Sequence, residues 1–386
     1  MTNEVSIIIT VSMIIFGSPL LAKLLRIPTI PIEIILGSIA VSLGLISDNH
    51  IFDLVAELGF LYLMFLAGLE INLKAVFKVS SHIIKKAFLY TLLLYVLSIV
   101  VTFYFELAKI FVVTLPLISI GLLASLKKEY GSVEWLTLAI TVGLIGEIVS
   151  IIVLTTVSAG LEFGVTLEFY KTLFVLSSVF VVMIVGYKLF HNLIWWYPEI
   201  KTKLMPQVDT QEQDIRLSMG IFFMMIALML YLHLEVALGT FVAGVFIATF
   251  FEHNKELPHK LEHFGFGWLV PIFFIWIGTS FTLESLFIDN LVFTALLITF
   301  SMILIRAVSS LLFIKDIGFK NSILLALSHS QPLTLLIAVS TLAYHSNSIT
   351  QFYYFAFILS AIFGVIISMI LIRLVSKSSV LPTNSN

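Results

Sequence analysis

The segment TVGLIGEIVS, at residues 141–150, contains a single acidic side chain, Glu147. No other charged residue occurs between Trp135 and Leu161. A charge at the centre of a membrane-spanning helix costs about 2.5–3.5 kcal/mol on the insertion scale, so such a residue is usually retained for its function. Glu147 is therefore a candidate for binding a proton or a cation. The alternative is a carboxylate that is permanently protonated or paired within the protein.

A basic residue, Arg306, also lies inside an apolar segment, ILIRAVSS. A guanidinium at this position could compensate the charge of a buried carboxylate. It could equally be a structural or snorkelling side chain, because it lies nearer one end of its segment. We predict charge compensation and keep the structural role as the alternative.

Proline interrupts two of the apolar segments. In the first of them, Pro116 lies shortly before Ser119, Ile120 and Gly121. Where a spanning helix is broken, its freed carbonyl groups can coordinate an ion. Ser119 is therefore a candidate ligand, unless its hydroxyl bonds back to its own helix. Ile120 and Gly121 are predicted to form part of the break.

The second proline, Pro332, lies within LSHSQPL at 327–333. Its neighbours His329, Ser330 and Gln331 are candidates for contact with a permeating ion. For His329 and Gln331 we expect packing or hydrogen bonding near the break, and contact with the ion is the alternative. Interrupted helices at matching positions in two halves of a chain are the sequence pattern that best indicates a binding site near the middle of the membrane.

The composition is that of a protein embedded in a membrane. Hydrophobic residues make up 60% of the chain and charged residues 11%, which does not suit a water-exposed surface. The absence of cysteine excludes disulfides, thiolate metal sites and iron–sulfur clusters. A formal charge of −2 argues against binding to nucleic acid. Because no second acid, base or nucleophile accompanies Glu147, we do not expect an enzyme.

A spanning helix needs about 20 mostly apolar residues. On this criterion the sequence predicts an all-α polytopic membrane protein with about thirteen spans, at 4–25, 28–46, 51–69, 83–104, 107–126, 132–159, 168–194, 214–233, 235–251, 263–282, 287–314, 320–343 and 350–374. The first is expected to be an uncleaved span, because no basic region of a signal peptide precedes it.

The distribution of basic residues predicts the orientation of these spans. One set of alternate loops holds only Lys109 and Lys171, whereas the other holds every remaining Lys and Arg except Arg306. By the positive-inside rule, the amino terminus is expected outside and the carboxyl terminus in the cytoplasm.

Two predicted spans resemble each other. LGF (58–60) and GLEINL (68–73) of the third span correspond to FGF (264–266) and GTSFTL (278–283) of the tenth. Spans seven apart face opposite ways, so this similarity predicts two inverted repeats, spans 1–6 and 8–13, with broken and crossing spans 5 and 12. The predicted membrane domain covers 1–378, with repeats at about 1–160 and 213–376 joined by span 7 at about 168–194. Residues 379–386 are predicted to form a short cytoplasmic tail, and we expect no soluble regulatory domain.

Three stretches, ELGFLYLMFLAGLEINL (57–73), LGTFVAGVFIATFFE (238–252) and VPIFFIWIGTSF (270–281), resemble bacterial monovalent cation/proton antiporters of the Kef-type and NapA-type branch. The resemblance implies the membrane domain of that branch, in a bacterial or archaeal cytoplasmic (inner) membrane. It also implies a homodimer and a role in pH homeostasis, with no cofactor apart from the transported ions.

The resemblance further assigns the candidate residues, with departures from the family pattern. Glu147 takes the place of the ion-binding carboxylate and would hold Na⁺, while Gly146 stands where the family has a polar or acidic residue. Arg306 stands where the family has a lysine. Ser119-Ile120 replaces a Ser-Thr pair, and the family's Arg-Gly-Glu becomes Gln331-Pro332-Leu333.

These observations lead to one expected function and its alternatives. We expect a secondary active antiporter that exchanges one Na⁺ for one H⁺ by competition at Glu147, with alternating access. A potassium/proton antiporter, or a passive cation channel or sensor on the same scaffold, is the alternative.

Overall fold

The computed structural model describes residues 2–25, 27–70, 80–119, 133–163, 212–232, 236–251, 256–280 and 287–377, with isolated positions between 120 and 132, between 164 and 196, and at 254. This part of the chain is helical and contains no β-strand. In chain order the helices are α1 (Thr2–Leu25), α2 (Thr29–Ser42), α3 (His50–Leu69), α4 (Ser81–Tyr104), α5 (Phe111–Thr114), α6 (Glu134–Phe163), α7 (Gln213–Tyr231), α8 (Val236–Phe250), α9 (Leu257–Phe264), α10 (Val270–Thr279), α11 (Leu291–Ser310), α12 (Ile314–His329), α13 (Leu333–His345) and α14 (Gln351–Lys377).

Each predicted span other than 168–194 overlaps one of these helices. Seven helical stretches of the described residues are long and apolar enough to cross a membrane: Glu4–Leu25, His50–Leu69, Ser81–Tyr104, Gln213–Tyr231, Leu257–Thr279, Leu291–His329 and Gln351–Ser376. The predicted seventh span falls mostly outside the described residues, so the count of thirteen stays a prediction.

Local sequence explains where two of these helices begin. The Asn49 side-chain oxygen accepts hydrogen bonds from the backbone N–H groups of Ile51 and Phe52, at 2.9 and 3.1 Å, just ahead of α3. The Ser80 hydroxyl accepts one from the N–H of Ile83 at 3.4 Å at the start of α4. Both side chains satisfy backbone donors that have no partner within the helix.

The chain forms two compact units, each built from both halves of the sequence. The first unit comprises Met1–Lys74 and Phe163–Ser285. Within it, α3 packs against α8, and α2 packs against α10. Glycines lie at both crossings: a Cβ on Gly68, Gly244, Gly37 or Gly278 would overlap a backbone carbonyl of the facing helix. Small residues allow this close approach, which favours helix packing in membranes.

Two polar contacts add to the packing of the first unit. The Ser18 hydroxyl donates a hydrogen bond to the buried Glu33 carboxylate at 3.2 Å, joining α1 and α2. Asp214, buried at the start of α7, accepts a hydrogen bond from the Lys260 ammonium of α9 at 3.1 Å. Both carboxylates therefore have partners that offset part of their desolvation.

The second unit comprises Ala75–Glu162 and Leu286–Asn386. Within it, α11 packs against α4, α12 and α14, and α13 packs against α14. All of the predicted site residues that the structure describes belong to this unit. Its helices therefore position the candidate chemistry.

Candidate ion-binding site

Two helices of the second unit are interrupted at the predicted prolines. The first interruption follows α5 and runs from Leu115 to Ser119, the last described residue before a gap. The second separates α12, which ends at His329, from α13, which begins at Leu333. Backbone carbonyls at such breaks lack their usual helical partners and need donors from elsewhere.

The Arg306 guanidinium, which is fully buried in α11, supplies those donors. Its Nε donates to the His329 carbonyl oxygen at 2.9 Å, and a terminal nitrogen donates to the Leu117 carbonyl oxygen. The other terminal nitrogen donates to the Met302 carbonyl oxygen at 2.8 Å in its own helix. One side chain therefore ties both interruptions to α11. The cation also faces the carboxyl end of α12, where positive charge is favoured.

Arg306 is thus not a snorkelling side chain. A snorkelling guanidinium would carry its charged end to the membrane surface, whereas no part of this residue reaches the surface of the structure. Its bonds to carbonyl groups agree with the structural alternative. Direct pairing with Glu147 stays a prediction.

A pair of hydroxyls also connects the two interruptions. The Ser119 hydroxyl lies 3.3 Å from the hydroxyl of Thr334, in the first turn of α13. Ser330 does not join this pair, because its hydroxyl donates to the Ala326 carbonyl oxygen of α12 at 2.8 Å. The Ser119 hydroxyl therefore lies where the two interrupted segments meet, whereas Ser330 bonds back to its own helix.

Glu147 lies on α6 with 1% of its surface exposed, next to the first interruption. A Cβ on the preceding residue, Gly146, would overlap the Ile118 side chain. The Ile118 backbone N–H donates a hydrogen bond to the Ser150 hydroxyl at 3.3 Å, one turn further along α6. The carboxylate therefore lies on a helix segment that packs directly against the broken backbone.

The His329 ring is buried and bonded through both of its nitrogens. Nε2 lies 2.8 Å from the Ala139 carbonyl oxygen of α6 and must donate to it. Nδ1 lies 3.1 Å from the Tyr90 hydroxyl of α4 and, in the neutral ring, accepts from it. Through these two bonds, His329 at the end of α12 connects α12 to α4 and α6.

The Gln331 side chain is the exception among these polar groups. It is 1% exposed, and neither its oxygen nor its nitrogen has a hydrogen-bond partner among the residues that the structure describes. Pro332 follows it as the residue before α13. The side-chain amide is therefore buried at the second interruption and open to a further ligand.

The structure brings together most of the residues that the sequence predicted. Ser119, Arg306 and His329 are joined through the two interruptions, and Glu147 lies on the helix packed against the first. Ile120 and Gly121 lie outside the described residues. Sequence reasoning missed Tyr90, Ser150 and Thr334, whose hydroxyls contact His329, Ile118 and Ser119. Thr334 is close enough to Pro332 in the chain to have been noticed.

The donor set suits a hard cation held largely by neutral groups. No group of three His, Asp or Glu side chains that could hold a metal ion occurs in the described part of the chain. The described residues at and beside the two interruptions include one carboxylate, on α6, together with hydroxyl, amide and backbone oxygens. Oxygen ligands of this kind bind hard cations rather than soft transition metals.

Comparison with known proteins identifies the family of this chain. The sequence pattern of the family described as sodium/hydrogen exchanger, transmembrane, matches residues 8–377. The chain belongs to this family. The chain is 25% identical over 98% of its length to YjbQ of Bacillus subtilis, which is named as a Na(+)/H(+) antiporter, and it spans 64% of the length of that relative. A Methanocaldococcus jannaschii protein, Na(+)/H(+) antiporter 3 by name, is 26% identical over 80% of this chain and 81% of its own.

The fold of this chain is similar to that of a solved structure. The sodium proton antiporter MjNhaP1 from Methanocaldococcus jannaschii, at pH 8, superposes with a TM-score of 0.68. The match covers 98% of this chain and 99% of that protein at 16% sequence identity. The chain therefore has the all-helical fold of this membrane antiporter. Its place in the Kef-type and NapA-type branch stays a prediction.

Proposed function

We propose that the chain is a secondary active sodium/proton antiporter. The observation that carries this proposal is a buried carboxylate, Glu147, on a helix packed against a broken backbone segment in a member of the exchanger family. A buried carboxylate is costly unless it is neutralised, and either a proton or a cation can neutralise it. The names of the two relatives, which describe Na⁺/H⁺ antiporters, support sodium as the cation.

Exchange follows from competition at this carboxylate. When Glu147 is ionised, Na⁺ is attracted to its oxygens, with Ser119 and backbone oxygens at the break as further ligands. When Glu147 takes up a proton, the negative charge that held the cation is lost. The two ions therefore exclude each other, and each must leave before the other binds.

We propose a ratio of one cation to one proton. Gly146 offers no second titrating group beside Glu147, and Arg306 stands where the resemblance to the Kef-type and NapA-type branch implies a lysine. A guanidinium does not release its proton in a protein. Arg306 therefore stays charged throughout the cycle, holding the broken segments and compensating the carboxylate while the cation is absent.

Alternating access would follow if the second unit moves as one body and exposes Glu147 to each side of the membrane in turn. That unit contains every described site residue, which supports its role as the moving part. The first unit would then be the scaffold and would carry the homodimer contact. The proposed location is the cytoplasmic membrane, with the amino terminus outside.

The contacts within the first unit support the proposed inverted repeat. If spans 2 and 3 correspond to spans 9 and 10, the contact of span 3 with span 9 must recur as a contact of span 10 with span 2. The pairs α3 with α8 and α10 with α2 have this relation. Both pairs are also close crossings at glycines, Gly68 with Gly244 and Gly278 with Gly37.

Exchange measured in proteoliposomes tests the proposal. An outward gradient of Na⁺ imposed on vesicles that contain the protein is expected to drive protons inward against their own gradient. Repeating the measurement with K⁺ and Li⁺ identifies the preferred cation. Movement of protons or cations only down their own gradients would identify a channel and overturn the proposal. No movement at all would favour a sensor.

A further inference from the structure

The Gln331 amide differs from its polar neighbours because those side chains already have hydrogen-bond partners. The guanidinium of Arg306 bonds to three carbonyls, both nitrogens of His329 have partners, and the Ser330 hydroxyl bonds back to α12. Ser119 and Thr334 bond to each other. None of these side chains supplies the missing partner of Gln331.

A buried amide without partners is costly, because it has lost its hydrogen bonds to water and gained none in return. Apart from the Tyr95 phenol, which has the Ser150 hydroxyl beside it, the other unpartnered buried side chains of the described residues are Ser and Thr hydroxyls. A Ser or Thr hydroxyl on a helix can rotate toward a carbonyl one turn back. Gln331 lies between two helices and has both of its polar atoms open. Its burial without partners therefore points to a ligand that is bound during function.

The chemistry of an amide oxygen indicates the kind of ligand. It is a neutral hard donor that can replace a water molecule around a cation without adding a group that takes up protons. A second carboxylate here would bind the cation more strongly but would also titrate. An amide can therefore raise cation affinity while leaving the proton count at one.

We propose that the Gln331 side-chain oxygen is a ligand of the transported cation and sets its apparent affinity. The inference rests on the proposed exchange at Glu147 and assigns the neutral part of the same site. Glu147 supplies the charge, Ser119 supplies a hydroxyl from the first interruption, and Gln331 supplies the amide from the second. The competing occupant of the amide is a resident water molecule, which would not change with cation concentration.

Kinetics of the Gln331→Leu variant in proteoliposomes test this assignment. Leucine is a branched apolar side chain of comparable bulk without polar atoms, so the apparent KM for the cation is expected to rise about tenfold, or about 1.4 kcal/mol at 25 °C. The maximal rate is expected to change less than the KM, because Glu147 still exchanges the two ions. Ser368→Ala, which removes a buried unpartnered hydroxyl elsewhere in the second unit, is the matched control and should leave the KM unchanged.

A binding measurement keeps the test independent of transport. A cation that binds the native state raises the midpoint of thermal unfolding, so wild-type protein in detergent is expected to gain stability from NaCl relative to choline chloride. Gln331→Leu should need about ten times more NaCl for the same rise in the midpoint of thermal unfolding. If that variant is too unstable to purify, Gln331→Asn keeps the amide but shortens its reach, and the same displacement of the NaCl titration is expected.

The outcomes separate the two proposals. If wild-type protein exchanges cations for protons and the Gln331 variants keep the wild-type KM and NaCl titration, the amide is satisfied by water and this inference is wrong. If wild-type protein shows neither exchange nor stabilisation by any alkali cation, the proposed function itself fails, and this inference fails with it.

Discussion

Removing the Arg306 side chain should weaken the connection between the two interruptions. The guanidinium holds the carbonyl oxygens of Leu117 and His329, one from each interruption, and is fully buried. Arg306→Ala leaves both carbonyls without this donor. Arg306→Lys keeps the positive charge, but an ammonium on a flexible stem lacks the planar fork that reaches several acceptors at once.

The two hydrogen bonds between segments set the size of the effect. Hydrogen bonds to charged groups contribute about 1.5–3 kcal/mol each, which gives about 3–6 kcal/mol for the pair. Interhelical hydrogen bonds measured inside a membrane protein are weaker, at about 0.6–1.7 kcal/mol each. We therefore expect Arg306→Ala to lower the free energy of unfolding by about 3 kcal/mol and Arg306→Lys by about half of that.

Chemical unfolding in detergent, followed by tryptophan fluorescence, measures these differences. Arg216→Ala is the control, because Arg216 is exposed at the surface of the first unit and should change stability by no more than about 0.5 kcal/mol. In proteoliposomes, Arg306→Lys should retain some exchange, and Arg306→Ala should alter its pH dependence. Wild-type stability of Arg306→Ala would refute the role of this residue in holding the broken segments.

Two further predictions concern exchange itself. Ser119→Ala should weaken the apparent cation affinity more than it lowers the maximal rate; an unchanged KM would leave Ser119 with only its contact to Thr334. Exchange should be electroneutral, so its rate under a clamped membrane potential should not depend steeply on that potential. A cation-dependent current on a solid-supported membrane would show that a second group carries protons, and His329 would be tested first.

The helices and their interruptions are the part of the fold that the sequence predicts well. A run of apolar residues long enough to cross a membrane leaves little choice of structure, because backbone groups in lipid must be paired within the segment. Proline removes a backbone donor, so Pro116 and Pro332 mark the neighbourhoods of both breaks. The tenth predicted span begins at 263, whereas the structure extends helix back to Leu257, because the polar residues of α9 lowered the hydropathy there.

The candidate site is predictable in its residues but not in its contacts. Glu147 and Arg306 stand out because charge is rare in apolar segments, and this signal is local. The partners of Arg306 are backbone carbonyls, which every residue has, so no sequence pattern marks Leu117 as one of them. Tyr90 was missed for a related reason. A tyrosine in a spanning helix is common, and its bond to His329 depends on how α4 packs.

The central claim is that one carboxylate carries both ions. The most direct test is exchange by Glu147→Gln in proteoliposomes, with expression, detergent solubility and thermal unfolding compared with wild type. Glutamine keeps the shape of the side chain but can neither release a proton nor balance a cation. We predict a correctly folded, membrane-inserted variant with no cation/proton exchange and no stabilisation by NaCl. Exchange at the wild-type rate would contradict the account, because the proton and the cation would then have to be carried by another group.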